Sequence, residues 1–392
     1  MITGAGIVSA IGIGKTETLE ALRDKRTGIA ALRYLKTDHH EFPVGEVKLS
    51  DDEMKQRLGI TAEPTTRTAL MGMLAMDEAL AQAGLQDRGD AVAFVSGTTV
   101  GGMDKSEQYY LDYLENDSRN DYIRTHDCGA TTELIARRYG QLFTMCTSIS
   151  TACSSAANAI ILGANLIRSG QTQIAVVGGS ECITKFHLNG FNSLMILDHE
   201  QCRPFDDTRA GLNLGEGASY LVIETLTSAR QRGATILAEL SGYGNACDAF
   251  HQTASSDDGE GAFLAMQKAL RMAGLQPEDI DYVNAHGTGT PNNDVSESQA
   301  LKRLFGEQMP QVSSTKGMTG HTTSASGSVE TTICLLALQH QIVPANFGWS
   351  KPMADGITPV TDTTPLRPLE HIMCNSFGFG GNDSSIIISK QL

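Results

Sequence analysis

Cys153 stands in Ser150-Thr151-Ala152-Cys153-Ser154-Ser155-Ala156, where an apolar stretch, 146–150, gives way to small residues with helical spacing. A thiol at a helix amino terminus meets unpaired N–H groups and the positive end of the dipole, which favour the nucleophilic thiolate. The plainer alternative is a small core residue, the ordinary role of a free cysteine. His286 ends the apolar run Tyr282-Val283-Asn284-Ala285 and opens His286-Gly287-Thr288-Gly289-Thr290. A strand-end histidine faces the region where ligands collect on parallel sheets, and the two glycines let a ligand approach the backbone. It could equally be a histidine satisfied within its own turn. His321 closes Lys316-Gly317-Met318-Thr319-Gly320-His321 at the start of a second helical run. A helix start disfavours imidazolium, so this ring is expected to be neutral and able to donate to an oxyanion. Lys316, and Glu330 within the apolar helix, form either part of that site or a structural ion pair, since an unpaired carboxylate there is costly. Near the end, Asn375-Ser376-Phe377-Gly378-Phe379-Gly380-Gly381-Asn382-Asp383 is a glycine-rich turn able to offer a backbone N–H. Together these groups suit thioester chemistry: a thiolate takes an acyl group, neutral imidazoles stabilise an enolate, and backbone donors hold a tetrahedral oxyanion.

Positioning them requires strands that end at one level. The runs Ala91-Val92-Ala93-Phe94-Val95 and Ile174-Ala175-Val176-Val177 read as buried strands, and 65–83, closed by Gly84, as a helix. The alternation resumes after about residue 233, with a helix over 263–273 ended by Gly274 and then the strand at Tyr282. This is an α/β pattern with mostly parallel sheets. Each half also has a helix of small and apolar residues with no evident solvent side, about 153–168 and 322–340. Two such helices imply close packing at the centre and a pseudo-symmetric duplication, divided as 1–232 and 233–392.

At 392 residues the chain exceeds one ordinary core, consistent with two halves. The net charge of −15, without a cluster of Lys and Arg, argues against a nucleic-acid surface. Eight cysteines form no C-x-x-C pair and mostly lie in apolar runs, so buried, reduced thiols in a cytoplasmic protein are expected. The start, Met1-Ile2-Thr3-Gly4, has no charged leader, so no signal peptide is expected, nor any membrane span. The terminal glycine turn lacks the Lys-Ser/Thr ending of a phosphate loop, and Gly4-Ala5-Gly6 does not complete a dinucleotide fingerprint.

Taken in order, these motifs resemble the β-ketoacyl-(acyl carrier protein) synthase I/II family within the thiolase-like fold. The match covers nearly the whole chain. It also takes in Gly178-Gly179-Ser180-Glu181, Arg203-Pro204-Phe205-Asp206, Leu214-Gly215-Glu216-Gly217-Ala218 and Asp294. The resemblance implies a five-layered α-β-α-β-α fold of two pseudo-symmetric halves. It implies a decarboxylative Claisen condensation of malonyl-ACP with an acyl chain carried on Cys153. His286 and His321 would support decarboxylation, while Lys316 and Glu330 would organise the site. Phe379 would be the gating aromatic, and its N–H and that of Cys153 would form the oxyanion hole. Thr288 and Thr290 would bind the pantetheine arm. The family works as a homodimer, with no organic cofactor and no metal, and its partner is the acyl carrier protein.

Several positions depart from the family pattern. Ser324 stands where glycine is frequent, and Asp383 where asparagine is usual. The stretch 103–132 is rich in Tyr and acidic residues where the acyl pocket and dimer interface are expected, which favours a specialised polyketide or aryl-polyene role. Arg67 and Arg124 are offered for the carrier's acidic surface. A thiolase acting on coenzyme A thioesters would need a second cysteine where Ser376 and Phe377 stand. The ketoacyl synthase III branch would put asparagine at His321. A chain-length-factor subunit, non-catalytic or dependent on a heterodimer, would lack the cysteine that Cys153 supplies.

Overall fold

The computed structural model describes residues 1–61, 64–85 and 91–391. The β-branched and small-residue runs form two sheets. In the first half lie β1 (Ile2–Ser9), β2 (Gly12–Ile13), β3 (Val92–Gly97), β4 (Phe143–Ile149), β5 (Ile174–Glu181) and β6 (Gly217–Glu224), in the order β2-β1-β6-β5-β3-β4. In the second lie β7 (Glu239–Cys247), β8 (Tyr282–Asn284), β9 (Gln311–Ser313), β10 (His371–Gly378) and β11 (Asn382–Ser389), in the order β7-β11-β10-β8-β9. The pairings match term for term: antiparallel for β1–β6 and β7–β11, antiparallel again for β6–β5 and β11–β10, then parallel for β5–β3–β4 and β10–β8–β9.

The sheets are therefore mixed, which corrects the expectation of mostly parallel strands. The cause is local in the second half. The glycine turn 378–382 is short enough to fold β10 directly back onto β11, and a tight turn can join only antiparallel neighbours.

Five layers result. Helix Arg67–Ala83 packs on the outer face of the first sheet, its first turn capped by Thr66 Oγ1 and its end formed by left-handed Gly84. Helices Glu260–Ala273 and Pro291–Phe305 cover the outer face of the second sheet. Between the sheets lie Ser155–Arg168 and Ser326–His340. Every residue from Ser326 to Leu338 is buried, as expected for a helix without a polar side. The two central helices cross where a Cβ on Gly327 would fall 2.5 Å from the Ala157 backbone nitrogen, so only glycine permits this approach.

The duplication is visible in matched close contacts. Gly4 and Gly6 on β1 lie against the Ala79 and Ala75 carbonyls, where a Cβ would come within 2.3 and 2.0 Å. Gly242 and Gly244 on β7 lie against the Ala269 and Ala265 carbonyls, with corresponding distances of 2.3 and 2.2 Å. Both glycine pairs let the outer helix of their half sit directly on the strand backbone.

The expected buried thiols are found at Cys153, Cys182, Cys202, Cys334 and Cys374, but Cys146 and Cys247 are exposed. Cys146 is exposed because β4 is the outermost strand of its sheet, with Thr144, Met145 and Cys146 uncovered.

Candidate active site

Strand β4 ends at Ile149, and the chain reverses through Thr151 and Ala152 before helix Ser155–Arg168. Ala152 has φ 50°, a left-handed conformation that costs a non-glycine residue energy and persists only where its surroundings hold it. Ser155 Oγ accepts from Thr151 N–H and donates to the Ala152 carbonyl, which locks the elbow. Glycines at the neighbouring strand ends admit the helix: a Cβ on Gly97 would meet the Ala156 nitrogen at 2.6 Å. Cys153 is thus presented at the level where the strands stop, buried at 6% exposure.

The second half brings its imidazoles to the same point. His321 Nε2 lies 3.1 Å from Cys153 Sγ, and its Nδ1 lies 3.0 Å from Ser326 Oγ. His286 crosses the His321 ring nearly edge-on, with centroids 5.2 Å apart. The loop carrying His286 is fixed from below by Glu297, which accepts from the His286 and Gly287 N–H groups at 2.9 and 2.8 Å. The Phe379 backbone N–H is directed at the Cys153 sulfur, and the Phe379 ring stacks on Phe191 with centroids 5.9 Å apart. Cys153, His286, His321, Thr288, Thr290 and Phe379 all line one cavity of about 370 Å³. Its other walls include Phe191, Leu194, Met195, Ile196 and Leu212, which make it largely apolar. Lys316 and Glu330 lie behind it, buried and ion-paired through Nζ and Oε1, while Glu330 Oε2 has no hydrogen-bond partner among the described residues.

The electrostatics revise one expectation. Burial pushes the Cys153 thiol up to about 12; the Lys316 cation opposes this, and Glu181 and Glu330 add to it. Burial thus favours the neutral thiol at rest, against the pull of the Lys316 charge and the Phe379 N–H. Both histidines are neutral: burial, followed by the Lys316 charge, holds each well below the usual imidazole value. Alkylation of Cys153 by iodoacetamide, followed by peptide-resolved mass spectrometry, will rise about tenfold per pH unit from pH 7 to 9 without levelling. A plateau within that span would mean that the thiolate is already formed at rest.

Some side chains fall elsewhere than expected. None of the residues 103–132 lines the Cys153 cavity of this single chain. The helix Met103–Glu115 buries only Ser106 and turns Tyr110, Leu111 and Leu114 outward, the first two bordering a separate groove of about 760 Å³. Arg67 cannot meet a carrier, since it is buried and bound to Glu216, Asp51 and the Leu49 and Val47 carbonyls. Arg124 is exposed and lies 3.7 Å from Asp121. Glu297 and Asn382 were not singled out from the sequence. Asn382 Oδ1 accepts from Ser154, Asn158 and Asn245 at 3.0, 2.7 and 2.9 Å, tying the glycine turn to the nucleophile helix. Among the described residues no three His, Cys, Asp or Glu side chains are grouped to hold a metal ion.

Comparison with known proteins places this geometry in a family. Residues 1–229 match the model of the β-ketoacyl synthase N-terminal domain, and residues 237–349 that of the β-ketoacyl synthase C-terminal domain. The chain is 34% identical over 410 residues to nodulation protein E of Rhizobium meliloti (strain 1021), covering 100% of this chain and 99% of that protein. It is 32% identical over 419 residues to 3-oxoacyl-(acyl-carrier-protein) synthase 2 of Vibrio harveyi, covering 100% and 98%. The ishigamide ketosynthase/chain length factor superposes with a TM-score of 0.91 at 29% identity, covering 100% of this chain and 98% of that one. With its thiolase-like layers, the chain belongs to the β-ketoacyl synthase family of condensing acyltransferases.

Proposed function

We propose that the chain is a 3-oxoacyl-(acyl carrier protein) synthase in which Cys153 carries the growing acyl group. The observation that carries this reading is the convergence of the Cys153 thiol, a neutral His321 imidazole at 3.1 Å and the Phe379 N–H in one apolar cavity. The thiol attacks the thioester carbonyl of an acyl carrier protein, and its proton passes to His321 Nε2. The Phe379 and Cys153 N–H groups hold the oxyanion until the carrier thiol leaves with a proton. Malonyl-ACP then enters with its pantetheine arm along Thr288 and Thr290. Loss of carbon dioxide leaves an enolate stabilised by hydrogen bonds from His286 and from His321, which donates through Nε2 in its other neutral tautomer while Nδ1 accepts from Ser326 Oγ–H. The enolate carbon attacks the acyl-Cys153 carbonyl, the new carbon–carbon bond forms, and the Cys153 sulfur departs as a thiolate and takes a proton from solvent water.

The division at 232/233 is part of the same proposal, supported by two sheets whose strands lie within 2–224 and 239–389. So is a cytoplasmic location; among the described residues no helix is long and apolar enough to cross a membrane. A second copy is the proposed partner, supported by the uncovered β4 edge and the outward Tyr110, Leu111 and Leu114. Pairing with a related, non-identical subunit is the second reading, favoured by the likeness to a ketosynthase/chain length factor. The unusual stretch 103–132 supports a specialised polyketide or polyene role over general fatty-acid elongation.

Intact-mass measurement after incubation with short, long, unsaturated and aryl acyl-ACPs tests the reading. One acyl group will be gained from the preferred chain. No gain with any chain would overturn the stand-alone enzyme and leave the subunit that needs a partner.

A further inference from the structure

Helix Lys185–Ser193 carries a buried imidazole that the proposed chemistry leaves unused. His187 and Phe191 stand four residues apart and so share one face of that helix. Phe191 lines the Cys153 cavity, and the His187 ring meets it edge-on, with centroids 6.1 Å apart. Lys185 lies on the opposite face and borders the separate groove beside Tyr110 and Leu111. His187 is 5% exposed and near enough for its charge to act on His321. It therefore stands just behind the cavity wall contributed by the first half, whereas Thr288 and Thr290 belong to the second.

The protein itself makes little use of the ring. Nδ1 lies 3.3 Å from Thr184 Oγ1, a hydroxyl already taken as the helix cap by the His187 N–H at 3.1 Å. The Cys182 carbonyl lies beside the ring. Nε2 makes no hydrogen bond of ordinary geometry among the described residues. Nor is His187 half of an ion pair. Glu181, the acid that acts on it most, has its carboxylate occupied by the Thr98 and Thr99 hydroxyls and the Thr99 and Val100 N–H groups. Burial holds the imidazole below its usual value, so it is neutral. A buried neutral ring with a nitrogen to spare costs free energy that a leucine here would not, unless a ligand group meets it.

We propose that His187 is a specificity-determining residue that hydrogen-bonds a hydroxyl borne by the acyl chain on Cys153. The inference rests on Cys153 being the acyl-carrying residue of the proposed reaction. With the pantetheine arm along Thr288 and Thr290, an acyl group handed to Cys153 extends toward the other wall, where Phe191 and then His187 stand. Phe191 covers the apolar body of the chain, and the imidazole answers its polar group. A hydroxyl suits either neutral tautomer, since it both donates and accepts. The substrate class is thus a hydroxylated acyl chain, aliphatic or aryl, in preference to a plain alkyl one.

A hydroxyl moved carbon by carbon along an octanoyl chain reads this directly, with Cys153 acylation from each carrier thioester followed by intact mass. At one position loading will be about tenfold or more faster than from octanoyl-ACP itself. His187→Leu and His187→Phe, both apolar and differing in bulk, will lose that preference and still load octanoyl. His187→Gln, which keeps a donor and an acceptor, will retain part of it. No favoured position in the unaltered protein overturns the inference, and so does a preference that survives in either apolar variant. In both cases octanoyl loading leaves the reading of Cys153 standing. Uniform loss of loading in the apolar variants, for octanoyl as for hydroxylated chains, would mark a structural role and overturn the inference as well. If the unaltered protein loads no chain, plain or hydroxylated, this inference and the stand-alone enzyme fall together.

Discussion

Cys153→Ala will abolish acyl loading and lower condensation by about 10⁴-fold or more, yet leave decarboxylation of malonyl-ACP largely intact. The two outcomes separate because the halves supply different steps. The sulfur that forms the covalent bond comes from the first half, whereas His286 and His321, proposed to stabilise the enolate, come from the second and need no sulfur for that task. Conversely, His286→Ala and His321→Ala will each slow decarboxylation by about 10²–10⁴-fold. Release of labelled carbon dioxide, measured beside intact mass, distinguishes the steps. If Cys153→Ala loses decarboxylation as fully as loading, the histidines do not form an independent enolate site.

Lys316→Met will destabilise the fold by about 3–5 kcal/mol, and adding Glu330→Gln will restore most of that loss. The pair is buried at 1% exposure for both residues, so removing the cation leaves a buried carboxylate without compensation. Burial already raises Glu330 from 4.5 to about 7 against the pull of Lys316. A carboxyl with a raised folded value holds a proton that the unfolded chain has released, so stability declines as pH rises through that span. Without Lys316 the span extends upward, and the cost of Lys316→Met will be larger at pH 8 than at pH 6. Urea unfolding at the two pH values checks this. A cost below about 1 kcal/mol at both would mean that water reaches the pair.

The reacting groups were legible because each stands where a strand or helix ends beside glycine, a position read from a few neighbouring residues. Cys153, His286 and His321 share that signature, and the structure brings them to one cavity. What escaped notice depends on distance along the chain. Asn382 reaches Asn158, and the antiparallel course of β6 follows a long excursion from 182 to 216. Glu297 had a weak local signal, an acidic residue one helical turn after Asp294 in the helix that follows the His286 loop. The burial that favours the neutral Cys153 thiol is not legible locally: dipole direction is visible in sequence, whereas dehydration is set by the assembled walls. The duplication did leave a trace: Gly4-Ala5-Gly6 is answered by Gly242-Tyr243-Gly244. Neither is a nucleotide fingerprint; each lets an outer helix rest on its strand backbone.

The central helical layer has a consequence for cooperativity. Ser155–Arg168 contacts strands of both sheets, and so does Ser326–His340. Each half alone would present to water a helix meant to be enclosed, with the Gly327–Ala157 crossing left open. The two halves are thus repeats in pattern without being independent in folding. Local melting at the layer would separate Cys153 from His321 before either sheet had come apart, so the molecule would lose its chemistry earlier than its secondary structure.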